Sequence, residues 1–436
     1  MNTKANLKIV INNAVTFNTD DVAILKGIIK IINSHLGNEV EYIIYGRRPK
    51  ISKKYYPNLN TKETLYFQAT AILRGPILRK LQNSKFFRIA NRKRLLQGFS
   101  FWQKGNYVMA FFFLTRSEIE TIKDYESADL IVSTGGTYLV ENYDLEARIV
   151  DFITTISLNK DIILFTQSLG PFKKKENIET FKYIFDHSKL ILLRDSLSEK
   201  SLKNLSVSDD KIFLRADAAF ALADMDYIHQ LKKQDSLSKT SLHVAISVRY
   251  WPHFESIDPQ QGYANYIDSV RDLCIFLTRN MDCKITFIST CQGIPEYYLD
   301  DSEVANSIYQ DLPEDVRQLT SVDRKHHSPE DLLEALKCFD FAVATRMHIA
   351  ILSMCVGMPV IPIAYEFKTI ELFKKMGLDR WVIDIENINS ENLTNLVSEL
   401  KKQLVDIKSK VAVEVEKEFV DAMSSGDLIK SCLNKN

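Results

Sequence analysis

The chain has 436 residues, 45% hydrophobic and 26% charged, with 56 Lys+Arg balanced by 56 Asp+Glu. That size and composition predict two or three globular domains and exclude wholesale disorder, and zero net charge excludes a nucleic-acid binder that relies on global positive charge. Six cysteines without a C-x-x-C pair argue against a zinc site or disulfide framework and for reduced thiols in a cytosol. No apolar run reaches the length of a membrane span; the longest, 108–114, is strand-sized. No secretory signal is read at the N-terminus.

In chain order, residues 7–13 read as a buried strand and 20–35 as a helix with apolar residues at helical spacing. Residues 40–45 are the next strand. The segment 47–104 then carries 15 Lys/Arg and one acid, Glu63. Its basic residues alternate with large apolar ones such as Leu73, Ile77, Phe86, Phe99 and Trp102. Such a stretch suits an anionic membrane surface, a polyanionic acceptor, or a helical insertion packed on its own domain. Strands are expected at 107–114, 129–134, 162–166, 190–193 and 212–214, with helices from 117 and over 141–159. The polar stretch 225–240 marks a boundary. The pattern then restarts, with strands at 243–248, 285–289, 341–344 and 359–363. Helices start near 263, 295, 329, 347 and 369, and 390–419 closes the chain as a helical region.

Strands alternating with helices predict an α/β protein of two doubly wound, Rossmann-like domains facing a cleft, with ligands at the carboxyl ends of the strands. The expected division is 1–224, with 47–104 as an insertion, then 225–389, then a helical extension 390–436.

Several residues at those strand ends suit chemistry. Arg346 and His348 follow the strand 341–344 where a helix opens. A helix N-terminus favours anions, an arginine fork matches phosphate or carboxylate, and histidine exchanges protons near neutral pH. Arg249 ends the strand 243–248 in the same half. The pair Gly135 and Gly136 follows a strand and is read as a turn before a helix. Gln167 and Ser168 sit on another strand-end loop. Asn18, Asp20 and Asp21 follow the first strand, where Asp20 is either an N-cap or a base for a hydroxyl substrate. His326 and His327 read as a loop rather than a metal site. Asp300, Asp301 and Glu303 read as a solvated helix start. No Walker sequence, G-x-G-x-x-G or G-x-S-x-G elbow is present.

Taken in order, these motifs resemble the polysaccharide pyruvyl transferase family over about residues 7–384. The family's G-G-G is Gly135-Gly136-Thr137 here. Its Q-S-x-G-P is Gln167-Ser168-Leu169-Gly170-Pro171, and its R-D-x-x-S is Arg194-Asp195-Ser196-Leu197-Ser198. Its D-P-A-F is Asp217-Ala218-Ala219-Phe220, and its T-R-x-H-A is Thr345-Arg346-Met347-His348-Ile349. Gly357-Met358-Pro359-Val360 and Tyr365-Glu366-Phe367-Lys368 follow. The glycine pairs of the family's first loop are missing; Asn12 and Asn13 stand there.

The resemblance implies a GT-B-like fold and transfer of a pyruvyl group from phosphoenolpyruvate to a sugar, forming a ketal and releasing phosphate. It implies donor contacts at Arg249, Arg346 and His348. On that reading His348 is the proton donor, Asp20 or Asp21 the base, and Lys368 adds charge to the donor site. Gly135, Gly136, Gln167 and Ser168 line the acceptor side. No metal or organic cofactor is needed. The acceptor would be a polysaccharide or lipid-linked oligosaccharide met in the cytoplasm, with 47–104 docking at the inner membrane face. The alternatives are a GT-B glycosyltransferase using a nucleotide sugar, and a glycan- or anion-binding protein without activity.

Overall fold

The computed structural model describes residues 7–68, 84–231 and 241–433. The chain forms two compact units, each assembled from separate stretches. The first comprises Met1–Thr16, Ile28–Ala218 and Ala422–Asn436; the second comprises Phe17–Gly27 and Ala219–Asp421.

The first unit is built on an eight-stranded parallel sheet. Its strands are β1 (Leu7–Ala14), β2 (Val40–Gly46), β3 (Thr61–Glu63), β4 (Leu130–Ser133), β5 (Gly136–Leu139), β6 (Ile162–Leu169), β7 (Leu190–Leu193) and β8 (Ile212–Leu214). Their order is β3-β2-β1-β4-β6-β7-β8, with β5 paired to β6. The central strands are buried end to end, as in the LIVS of β4 and the LILL of β7. Runs of this kind suit a sheet covered on both faces.

The second unit repeats the plan with β9 (Leu242–Ser247), β10 (Cys283–Phe287), β11 (Thr320–Val322), β12 (Phe341–Ala344), β13 (Val360–Ala364) and β14 (Ile383–Asp384). Their order is β11-β10-β9-β12-β13-β14, all parallel. In each sheet the order reverses beside the first strand, between β1 and β4 and between β9 and β12. The crevice at such a reversal is where doubly wound sheets receive ligands.

Residues 107–114 are not a strand. Tyr107–Phe113 is a helix, opened by Asn106, whose Oδ1 accepts from Met109 N at 3.2 Å. The apolar run fits no buried strand because of its seven residues only Ala110 is buried. Gly136 opens β5 rather than a turn into a helix, and the next helix waits until Glu146–Ser157. The helix expected from 295 starts at Asp301, where Asp300 caps it by accepting from Ser302 N at 2.9 Å. The closing helical region is two helices, Ser390–Lys402 and Leu404–Leu433. The chain divides near Ala218 rather than at 224, and residues 390–436 are shared between the units rather than standing apart. The part of the basic stretch at 69–83 lies outside the described residues.

The first unit closes with the last helix. A Cβ at Gly426 would lie 2.1 Å from His35 Nδ1 near the end of helix Thr19–Leu36, so only glycine fits there. No helix of the described residues is long and apolar enough to cross a membrane.

Candidate active site

The second unit gathers its chemistry at the β9/β12 reversal. Arg346 occupies the N-cap position of helix Met347–Met354, directly after β12, and His348 is the second residue of that helix. Arg249 follows β9. Tyr266, buried on helix Pro259–Met281, ties the two strand ends together. Its hydroxyl accepts from Arg249 N at 3.2 Å and lies 2.8 Å from Thr345 Oγ1. Burial raises its pKa, so the phenol stays protonated.

Arg346 is buried and already engaged. Its Nε and Nη2 donate to Asp301 Oδ2 and Oδ1 at 2.7 and 2.8 Å, a two-point fork, and Ser289 Oγ donates to Asp301 Oδ2 at 2.6 Å. Burial opposes the charge of Arg346, but Asp301 and the more distant Asp20 outweigh it, and its pKa is raised well above the usual value. A guanidinium so engaged has only its Nη1 edge left to offer, and that edge lies 3.7 Å from Asp20 Oδ2. Asp301 therefore takes the fork of Arg346.

Asp20 is not the N-cap of its helix. Asn18 holds that place, with Oδ1 accepting from Asp21 N at 2.8 Å and Nδ2 donating to Asp21 Oδ2 at 2.8 Å. Asp21 is thus held in the cap. Asp20 instead reaches the reversal, 3.8 Å from His348 Nδ1, and its Oδ1 is buried without a hydrogen-bond partner. Ser247 Oγ, Thr290 Oγ1 and Trp251 Nε1 are likewise buried without partners. Orphaned polar atoms on adjoining strand-end loops are what a polar ligand would satisfy.

Arg249 contrasts with Arg346. It makes no ion pair among the described residues, and its guanidinium lies over the Tyr365 ring at 4.2 Å and the Trp251 ring at 5.1 Å. It is half-buried, positioned by rings and available to an anion. Lys368 is held by Glu366 at 2.5 Å. Cys291 is buried here too; burial pushes its thiol up, with Arg346 opposing, so it remains a thiol. His327 pairs with Asp323 at 2.7 Å, and burial lowers His326 to about 4. Among the described residues no group of three or more His, Cys, Asp or Glu is arranged to hold a metal.

The first unit uses its motifs differently. Gly135, Gly136, Gln167 and Ser168 are all buried at the end of the sheet. Arg194 is the hub. It donates from Nε to Ser168 Oγ at 2.8 Å and from Nη2 to Thr137 Oγ1 at 2.9 Å, and it pairs with Asp217. Asp195 caps the next helix through Ser198 N at 2.7 Å, and Ser198 Oγ accepts from Leu169 N at 2.8 Å. Gln167 Nε2 donates to Thr134 O.

The first loop has an account as well. Asn13 has φ 62°, the left-handed region where Asn is the best-tolerated substitute for glycine. Its side chain donates to Ser133 Oγ at 3.0 Å and accepts from Arg148 Nη1 at 3.0 Å. One turn along from Arg148, Asp151 is buried with neither oxygen hydrogen-bonded. Burial pushes it up to about 7, with Arg148 opposing.

The doubly wound sheets and the strand-end site define a two-unit α/β protein of the GT-B type. Solved structures share this architecture at low sequence identity. UDP-GlcNAc 2-epimerase of Neisseria meningitidis superposes with TM-score 0.57 and 10% identity, covering 99% of this chain and 100% of that one. Anabaena HepE in complex with UDP-glucose gives 0.57 and 11%, again over 99% and 100%. Sucrose-phosphate synthase of Thermosynechococcus elongatus gives 0.55 and 12%, over 99% and 100%. At these identities the likeness is one of fold. The sequence narrows it further: the profile of the polysaccharide pyruvyl transferases matches residues 21–366, and the chain belongs to that enzyme family. The amylovoran biosynthesis protein AmsJ of Erwinia amylovora is 24% identical over 322 residues, 72% of this chain and 74% of that protein.

Proposed function

We propose that the chain transfers a pyruvyl group from phosphoenolpyruvate to a sugar of a polysaccharide or its lipid-linked precursor, forming a ketal and releasing phosphate. The observation that carries the reading is the second unit's asymmetric arginine pair. Arg249, free of carboxylates, takes one anionic group of the donor. Arg346, neutralised by Asp301, offers a single edge to the other. Ser247, Thr290 and Trp251 supply further hydrogen bonds.

The reaction needs a proton delivered to the methylene carbon of the donor and a proton removed from the attacking hydroxyl. His348 delivers the first. Asp20, beside it, accepts the second. One hydroxyl adds to the enol carbon, phosphate leaves with the electrons of its C–O bond, and a second hydroxyl closes the ketal, giving up its proton to the released phosphate. The family membership and the kinship with an amylovoran biosynthesis protein support a polysaccharide acceptor.

Calorimetric titration of wild type and Arg249→Ala tests the donor. Saturable phosphoenolpyruvate binding, lost in the variant, is expected. Binding of UDP-sugars alone would refute it and favour glycosyl transfer, the reading that the UDP-sugar-bound fold neighbours support.

A further inference from the structure

The helices Lys85–Gln103 and Tyr107–Phe113 form a hairpin with two unlike faces. The inner face is closed: Leu95, Phe99, Ala110 and Leu114 are buried with Tyr66 and Ile119. The outer face of the short helix is apolar and open. Tyr107, Val108, Phe111 and Phe112 are 53, 73, 60 and 83% exposed. Single exposed apolar residues need no explanation, but four large ones on two helical turns do.

Within the hairpin itself the charge has one sign, although Arg94 pairs with Glu118 and Arg92 with Glu146 outside it. From residue 84 to 114 the sequence holds six Lys/Arg and no acid. Lys104 lies exposed in the turn three residues before Tyr107, and Arg116 lies exposed three residues after Phe113, in a surface pair with Glu120 at 3.3 Å. Lys93 is exposed beside Arg94, whose guanidinium bonds Phe113 O at the far end of the short helix. Lys50, Lys53 and Lys54 add exposed positive charge on helix Pro49–Tyr55 of the same unit. Aromatic and aliphatic side chains rimmed by cations match the boundary between anionic headgroups and acyl chains. Two copies meeting through this face would bring like charges together, which disfavours self-association.

We propose that this hairpin docks the protein on an anionic lipid bilayer. Tyr107, Val108, Phe111 and Phe112 enter the headgroup–acyl boundary, and Lys93, Lys104 and Arg116 contact the headgroups. The basic stretch alone does not disclose this, because its apolar half lies just beyond residue 104 in a segment whose pattern reads as a strand. The inference is independent of pyruvyl transfer.

Flotation with vesicles of phosphatidylcholine, with and without an equal part of phosphatidylglycerol, tests it on the full chain. The wild type should bind the anionic vesicles at least about tenfold more tightly, and raised salt should weaken this by screening. Val108→Asp/Phe112→Asp should lose at least about tenfold on anionic vesicles, because charge is costly in the acyl region. Lys93→Gln/Lys104→Gln/Arg116→Gln should lose the preference for anionic lipid. All five positions are exposed, so unchanged thermal melting is expected and confirms the fold. Equal binding to both vesicles, or undiminished binding by the Asp variant, overturns the proposal. So does a dimer in sedimentation velocity that the Asp variant dissolves while no vesicle is bound; the face would then belong to a second copy.

Discussion

Replacing Asp301 with Asn removes the charge that holds Arg346 and leaves its shape nearly intact. The side chains of Arg346 and Asp301 are only 11% and 4% exposed, so water screens the pair little. Breaking a buried ion pair from one side costs about 3–5 kcal/mol, and the retained amide oxygen places the expected loss near the lower end, about 3 kcal/mol. The nearest remaining carboxylate, Asp20, is 3.7 Å from Nη1 and does not replace a two-point fork. Equilibrium urea unfolding measures this in a Trp102→Phe background, where the remaining tryptophans, Trp251 and Trp381, both report on the second unit. The same substitution frees the fork for an added anion. Saturating phosphoenolpyruvate should therefore stabilise the variant more than the wild type, by about 1.4 kcal/mol for each tenfold gain in affinity. A stability loss below about 1 kcal/mol, or equal stabilisation of both proteins by the ligand, would refute the assignment of Asp301 as the residue that positions Arg346.

Asp151→Asn should stabilise the first unit, increasingly so as pH rises. The folded carboxyl is pushed up to about 7 from an ordinary 3.8, so the wild type loses stability between those values as the unfolded chain ionises first. About three pH units at about 1.4 kcal/mol each give a gain near 4 kcal/mol at pH 8 and almost none at pH 4; unfolding curves that run parallel across that window would contradict it. His348→Ala should lower turnover by at least about 100-fold while donor affinity stays within a few-fold, as expected for a proton donor; a raised donor dissociation constant with intact turnover would remove it from that role. Gly98→Ala should destabilise the helical hairpin by about 1–3 kcal/mol despite alanine's better helix propensity, because the new Cβ would lie 2.7 Å from Leu114 Cγ and Phe113 Cβ. Thermal melting checks it, and an unchanged or higher midpoint would count against the packing argument.

The sheets were readable because their strands are short apolar runs between polar turns, and β7, β8 and β12 begin and end where that pattern does. Strands of two or three residues, such as β3, β11 and β14, carry too little pattern to be seen. The helix Tyr107–Phe113 misleads for the opposite reason: its run is apolar on every side, and apolar runs of that length do not distinguish a buried strand from an exposed helix. In the site, Arg249, Arg346, His348 and Asp20 were marked by their places at strand ends. Asp301 was not, because an acidic helix start looks solvated until a buried arginine is found opposite it. The Ser289 hydroxyl, orphaned Ser247 and Thr290, and the ring cradle of Trp251 and Tyr365 leave no spacing signal at all. The interleaving of the two units is equally silent, since local periodicity says nothing about which sheet a helix will join.

The closing of the first unit by the last helix bears on how the protein is made. A chain synthesised from its N-terminus completes β8 roughly 200 residues before Gly426 emerges to meet His35. At about 5–20 residues per second that interval lasts about 10–40 s. Throughout it, the surface beside His35 that the final helix will cover stands exposed on the nascent chain, and the intervening residues must build the whole of the second sheet. The last contacts of the first unit are thus among those most distant in sequence, which makes its final docking step slow in principle and a natural point for chaperone engagement.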